Sequence, residues 1–287
     1  MAEPAVLITG AGGYLGRRLA DRASARWHVC AGTHRRSGVT AGTEVFLDVT
    51  ERDAVMQVVG RLQPRAIIHT AAVNPGQGDE TDMWRVNAEG SQHVAEAAHA
   101  VGARLVAVST DIVHNGRAAP YADDVPPSPI NGYGQSKAAG EEAIWVADPS
   151  AIVVRPSLIY GLDEMDRGTA GFAERIAAGN SQVLFSDVIR NPVWVETLAE
   201  ALIRLATVEH AGVLNVAGRQ ALSREAFGRR MLAYWGVDVG DMVRPGLAAD
   251  LGDSIPLDLR LRVDRAEALL GMAFPGVDQV LGSVGGY

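Results

Sequence analysis

The sequence predicts an α/β fold: a doubly wound parallel sheet with helices on both faces, followed by a smaller and less regular α/β lobe. Three observations predict it. Short apolar runs alternate with amphipathic stretches through the first half of the chain, the first run ends in a glycine-rich turn, and the alternation fades after about residue 160.

The runs are AVLIT (5–9), WHVCAGT (27–33), EVFLDV (44–49), AIIHTAA (66–72), RLVAVST (104–110) and AIVVRPS (151–157). All but the third are almost continuously apolar at their centres, as strands covered on both faces must be. Helices are expected between them at 14–25, 51–62, 82–101 and 134–147, at the spacing of repeated βα units. Beyond residue 160 come shorter helices at about 169–179, 195–207, 222–235 and 263–270, with brief apolar runs such as VLF and VLNVA. The expected division is a nucleotide-binding domain over 1–160, to which 191–216 returns, and a lobe formed by 161–190 and 217–287. The proline-rich DDVPPSPING (123–132) is too short for a linker and is expected to be a loop beside the site.

A chain of 287 residues buries enough surface to be stable without cross-links, and Cys30 is its only cysteine. An intramolecular disulfide, a zinc cluster and a Cys-x-x-Cys pair are therefore excluded, and a reducing cytoplasm fits best. No ligand cluster with metal spacing appears. The opening MAEPAVLITG has no basic leader and apolar core, and no run of about twenty apolar residues occurs, so neither secretion nor a membrane span is expected. The formal net charge of −8 opposes a nucleic-acid partner.

LITGAGGYLGRRLA closes a strand and opens a helix with Gly10, Gly13 and Gly16 in register. Gly10 permits the tight turn, Gly13 lets backbone amides approach a pyrophosphate, and Gly16 lets the helix pack on the sheet. The helix N-terminus adds unpaired donors and a partial positive charge. This is the nucleotide-binding arrangement of a Rossmann fold, and Gly10, Gly13, Tyr14, Leu15 and Gly16 are its expected cofactor contacts. At the end of the second strand an NAD site carries an acid for the ribose 2′-hydroxyl. The chain instead reads GTHRRSG, placing His34, Arg35 and Arg36 where a 2′-phosphate would sit. NADP(H) is thus the expected cofactor, with the choice between the two arginines open.

In NGYGQSKAAGE, Tyr133 and Lys137 lie four residues apart and share a helix face. A phenol beside an ammonium group is expected to have its pKa lowered, which suits it to exchange a proton with a carbonyl oxygen. Ser109 and Thr110 end the fifth strand, where open sheets bind their ligands, and can hold the substrate oxygen.

The segments TGAGGYLG, HTAA (69–72), VNAEG (86–90), VSTDIVHNG (108–116) and YGQSK (133–137) together resemble the extended short-chain dehydrogenase/reductases. The resemblance implies a Rossmann domain with Thr110, Tyr133 and Lys137 as catalytic residues and Asn87 supporting them. It also implies that Ala71 and Ala72 line the cofactor, as Asn87, Tyr133 and Lys137 do, while Asp48 and Val49 sit near its adenine. Within that family the pattern is most similar to the dTDP-4-dehydrorhamnose reductases. STDIVHNG, VVRPSLIYG (153–161) and SDVIRNPVWVETLAEAL (186–202) are the counterparts of their motifs. This resemblance implies that Thr110, Asp111, Val113, Asn131, Leu158 and Arg190 bind substrate. Leu158 and His114 stand where that group has aromatic residues, so the sugar recognised is expected to differ.

His114 is expected to be a partly exposed loop residue with one hydrogen bond, not a catalyst. Arg190 is expected to supply a cation for a nucleotide diphosphate, the alternative being a surface salt bridge. Trp145, Trp194 and Trp235 read as packing residues, and Arg229 and Arg230 as a solvated helix face.

The function implied is NADPH-dependent reduction of a keto group on a nucleotide-linked 4-keto-6-deoxy sugar, with Tyr133 as proton donor and a homodimer as the assembly. Two alternatives stay open: an NADP-binding regulator similar to the beta subunit of methionine adenosyltransferase, and a sugar-nucleotide epimerase or dehydratase. Those latter enzymes generally keep NAD bound, which the basic turn at Arg35 opposes.

Overall fold

Six strands form where the apolar runs place them: β1 (Ala5–Thr9), β2 (His28–Thr33), β3 (Thr43–Phe46), β4 (Ala66–His69), β5 (Arg104–Val108) and β6 (Ile152–Pro156). They are seen in a computed structural model that describes residues 4–35 and 38–284. A seventh strand, Gly212–Val216, pairs with β6. The order across the sheet is β3, β2, β1, β4, β5, β6 and then Gly212–Val216, every pair parallel. Strand order reverses between β1 and β4, and a parallel sheet opens a crevice at the carboxyl ends of its strands at such a point.

The crossovers are α1 (Tyr14–Ala23), α2 (Arg52–Leu62), α3 (Glu80–Trp84), α4 (Gly90–Val101) and α5 (Gly132–Ala147). Later helices are α6 (Arg167–Ala177), α7 (Val195–Leu205), α8 (Arg224–Tyr234), α9 (Asp264–Leu270) and α10 (Val277–Val284). Successive strand residues face opposite layers, which is why the runs must be apolar throughout. Val6 and Ile8 join Leu19 of α1 and Leu198 and Leu202 of α7 on one face. Leu7 joins Val55 and Val59 of α2 and Val94 and Ala98 of α4 on the other. Each such fully buried side chain contributes about 1.5–3 kcal/mol.

Two expected elements differ from those observed. The helix expected over 82–101 is interrupted by a π-helical turn, Arg85–Glu89, between α3 and α4. The widened turn carries Asn87, whose side chain is wholly buried and bonded inward. The strand expected over 44–49 stops at Phe46, because the Asp48 carboxylate turns the chain by accepting from the Thr50 amide at 2.9 Å and its hydroxyl at 2.8 Å.

After β6 the chain forms only short ladders. Ile159–Tyr160 pairs parallel with Val193–Trp194, Leu222–Ser223 antiparallel with Ile189–Arg190, and Val243–Gly246 parallel with Gln182–Phe185. Two small clusters hold them, one built on Tyr160, Phe227 and Met231, the other on Ile176, Leu184 and Leu232. Trp145 and Trp194 pack against the cores, and Trp235 lies edge-on to Tyr234. No described helix is long and apolar enough to cross a membrane.

Candidate active site

The glycine turn leads from β1 into the N-terminus of α1. Gly10 has φ +69°, and a Cβ there would lie 2.6 Å from the Ala71 amide nitrogen. A Cβ on Gly16 would lie 2.2 Å from the Gly10 carbonyl oxygen, so only glycine lets the helix start this close to the turn. Gly13 is the N-cap, with no side chain capping the helix and no acid in its first turn. The leading amides therefore have no side-chain acceptor, and the turn brings no acid of its own to repel an anion. Of the other residues expected here, Tyr14 donates to the Glu164 carbonyl at 3.1 Å, while the Leu15 side chain is buried in the sheet–helix core.

At the end of β2, His34 and Arg35 are exposed, and Arg36 lies outside the described residues. Asp48 is engaged by Thr50. Val49 is buried, and its carbonyl accepts from His93 Nδ1 at 3.0 Å. Ala71 and Ala72 follow β4 and are half-buried.

Asn87 ties two sides of the crevice together. Its side chain bonds the Val73 backbone twice, at 2.9 Å to the amide and 3.0 Å to the carbonyl, and donates to Ser136 Oγ at 3.0 Å. Ser136 lies on α5 and donates to the Tyr133 carbonyl at 2.9 Å. A Cβ on Gly140 would lie 2.2 Å from the Asn87 carbonyl, so glycine is what lets α5 approach the π turn. Beneath this, His69 is buried between Thr9 and Ser91, and burial together with the Lys137 charge pushes its pKa down to about 3.

Lys137 is buried with Nζ donating to the Val108 carbonyl at 2.8 Å. Burial lowers its pKa to about 8, the Glu141 carboxylate opposing the shift. Tyr133 is half-buried, and its hydroxyl donates to Asn74 Oδ1 at 3.1 Å. The phenol pKa does not fall as expected. Burial first, and then the Asp111 carboxylate, push it up to about 12, while a hydrogen bond from Thr110 and the Arg190 charge oppose the rise. Thr110 caps the short turn Asp111–Val113, its hydroxyl accepting from the Ile112 amide at 3.3 Å.

Arg190 is not the free cation expected. It forms a bidentate pair with Asp111, Nε to Oδ2 at 2.6 Å and Nη2 to Oδ1 at 2.5 Å, and both side chains are buried. The surface salt bridge expected as its alternative is thus a buried one, and it joins two residues expected to meet substrate. Val113 is wholly buried. Asn131 caps α5 through the Gly134 amide at 2.9 Å, and Leu158 is half-buried against the Tyr160 cluster.

His114 is also placed differently from expectation. It is wholly buried, stacked on Tyr121 with ring centroids 4.0 Å apart, and its Nε2 faces Arg155 Nη1 at 3.4 Å. Burial and the Arg155 charge push its pKa down to about 3. Arg155 in turn holds Glu141 by Nε at 3.0 Å and Nη2 at 2.6 Å.

Sequence reasoning does not anticipate Asn74, Ser136 or Arg224. Asn74 directly follows the Ala71–Val73 segment, and Ser136 stands between Tyr133 and Lys137, so position along known motifs is the one available signal for either. The Arg224 guanidinium is half-buried beside Arg190 and Asp111, and among the described residues it has no hydrogen bond or ion pair.

The RmlD substrate binding domain model matches residues 4–256. A dTDP-4-dehydrorhamnose reductase of Mycolicibacterium smegmatis is 34% identical over 249 residues, which are 84% of this chain and 72% of that protein. The methionine adenosyltransferase 2 subunit beta of Rattus norvegicus is 35% identical over 162 residues, 54% of this chain and 47% of that one. Among solved structures, the dTDP-4-dehydrorhamnose reductase of Bacillus anthracis in complex with NADP superposes with a TM-score of 0.84 at 26% identity, covering 98% of each chain. With a matching model over most of its length and relatives of this identity, the chain belongs to the RmlD substrate binding domain family of extended short-chain dehydrogenase/reductases, the sugar-nucleotide reductases.

Proposed function

We propose that this protein is an NADP-dependent oxidoreductase that reduces the keto group of a nucleotide-linked 4-keto-6-deoxy sugar, with Tyr133 as its proton donor. One observation carries the reading: Tyr133 and Lys137 share a face of α5 against the carboxyl end of β5, with Lys137 Nζ bonded to the Val108 carbonyl and the Thr110 hydroxyl beside the phenol. A phenol set beside a strand-end hydroxyl in this way can give its proton to a carbonyl oxygen as charge develops there.

The residues present fit a dinucleotide. Gly10 and Gly16 let the turn and α1 pack where any Cβ would collide with backbone, the first turn of α1 carries no acid, and the turn at His34 and Arg35 is basic and exposed. Gly10, Gly13, Tyr14, Leu15 and Gly16 would hold the pyrophosphate through backbone amides, and Arg35 with Arg36 the 2′-phosphate. Asp48, Val49, Ala71, Ala72 and Asn87 would line the remainder. When bound, NADPH supplies the hydride.

In this account Thr110 and Tyr133 receive the substrate carbonyl oxygen, and Tyr133 transfers its proton to that oxygen as charge develops there. Lys137, anchored on Val108, favours the phenolate that remains, because its positive charge lies on the same helix face. Asp111, Arg190, Val113, Asn131 and Leu158 form the substrate side. Residues 1–160 with 191–216 would act as the cofactor domain, and 161–190 with 217–287 as the lobe that takes the sugar nucleotide.

The experiment is Tyr133→Phe, measured twice. NADPH affinity should be retained while turnover of a dTDP-4-keto-6-deoxy sugar falls by at least a hundredfold, in line with the loss of a general acid. Undiminished turnover contradicts the assignment.

A regulatory role is the second reading, favoured by the likeness to methionine adenosyltransferase 2 subunit beta over 162 residues. The convergence of Thr110, Tyr133 and Lys137 on one strand end favours catalysis, since a scaffold has no need of it.

A further inference from the structure

Charged side chains of the smaller lobe gather where its Leu222–Ser223 ladder meets Ile189–Arg190. Leu222 is paired with Arg190 and Ser223 with Ile189, so the next residue, Arg224, lies across from Val188, and its amide donates to the Val188 carbonyl at 2.8 Å. Arg224 thus follows directly on the ladder that carries Arg190, and the Arg190 charge acts on it. It is also the first residue of α8, whose cap is the Ser223 hydroxyl, bonded to the Ala226 amide at 3.0 Å. Backbone and cap therefore fix the root of this side chain.

Among the described residues its guanidinium has no ion pair or hydrogen bond. Both oxygens of Asp111 are engaged by Arg190. Asp166, the other carboxylate acting on Arg224, caps α6 by accepting from the Gly168 and Thr169 amides at 2.9 and 3.1 Å and from the Thr169 hydroxyl at 2.5 Å. Arg224 is half-buried, and desolvation and the Arg190 charge hold its pKa below the ordinary arginine value. Partial burial of a cation without an anion is unfavourable, and a protein arginine in that position is relieved by an anion that arrives with a ligand.

The same Asp111–Arg190 pair acts electrostatically on both Tyr133 and Arg224. We infer that Arg224, and not Arg190, is the cation that receives the diphosphate of the sugar nucleotide, with the Asp111–Arg190 pair as the fixed wall between that group and the reacting carbonyl. This rests on the sugar-nucleotide reading of the site. The fork of a guanidinium suits two phosphoryl oxygens at once, and a root fixed by a strand pairing and a helix cap lowers the entropy lost on binding.

The test uses the NADP-loaded full chain and four probes: dTDP, UDP, thymidine and uridine, titrated against the wild type, Arg224→Gln and Arg224→Lys. The wild type is expected to bind a nucleoside diphosphate at least tenfold more tightly than its nucleoside. Arg224→Gln should abolish that difference while leaving nucleoside and NADP affinity unchanged and the melting midpoint no lower, and Arg224→Lys should restore part of it. If Arg224→Gln keeps the full preference for the diphosphate, the assignment of Arg224 is wrong and the sugar-nucleotide reading stands. If the wild type shows no preference for either diphosphate, the reading itself fails and the inference with it.

Discussion

Asn87 clamps Val73 through both backbone groups, accepting from its amide at 2.9 Å and donating to its carbonyl at 3.0 Å, although 14 residues separate them in sequence. The next residue, Asn74, accepts the Tyr133 hydroxyl. The π turn that carries Asn87 thus helps to position the phenol from across the crevice. Asn87→Ala should destabilise the chain by about 1–3 kcal/mol, the cost of leaving buried partners unpaired. Chemical denaturation measures this, and the variant should also lower kcat more than it raises KM.

Asp111 is the second cause, after burial, that raises the Tyr133 pKa. Asp111→Asn removes that negative charge, so the phenol should ionise at lower pH and the basic limb of the pH–rate profile should move down. The same change leaves Arg190 buried without a counterion, a loss of about 3–5 kcal/mol in unfolding free energy. A profile unchanged in an otherwise folded variant contradicts the electrostatic link.

Lys137 has a folded pKa of about 8 against an ordinary 10.5. Between these values the unfolded chain binds more protons, so wild-type stability should rise with pH across that window and lose the gain as pH falls through 8. Lys137→Met should lack this rise. The difference between the two stability curves should change by an amount on the order of 3 kcal/mol across the window, at about 1.4 kcal/mol per pKa unit.

Arg35 is exposed at the end of β2, as a group awaiting a phosphate would be. Arg35→Ala with Arg36→Ala should weaken NADPH by about 10- to 100-fold, the worth of a charge-assisted hydrogen bond, and NADH much less. Fluorescence titration with both nucleotides checks this, and equal losses contradict a 2′-phosphate role.

The first half of the fold is legible because parallel strands buried on both faces must be largely apolar, as β1, β4, β5 and β6 are. The ladders that follow β6 are two to four residues long, too short to impose a period, and their pairing depends on distant contacts. The site divides in the same way. Gly10, Gly16, Tyr133 and Lys137 lie in local motifs whose spacing is itself the signal. The union of Asp111 with Arg190 spans 79 residues, and the burial of His114 depends on Arg155 and Tyr121. No local pattern encodes either. The π turn at Arg85–Glu89 is hidden for another reason: one extra residue in a helix leaves the composition of the segment unchanged.

The central claim is that this chain transfers hydride to a sugar nucleotide, and the direct measurement is nicotinamide absorbance on mixing the protein and NADPH with a dTDP-4-keto-6-deoxy sugar. The account predicts NADPH oxidation that depends on the sugar, matches the alcohol formed and disappears in Tyr133→Phe. Tight NADPH binding with no oxidation, for this sugar or for other nucleotide-linked keto sugars, would contradict it and favour the regulatory role.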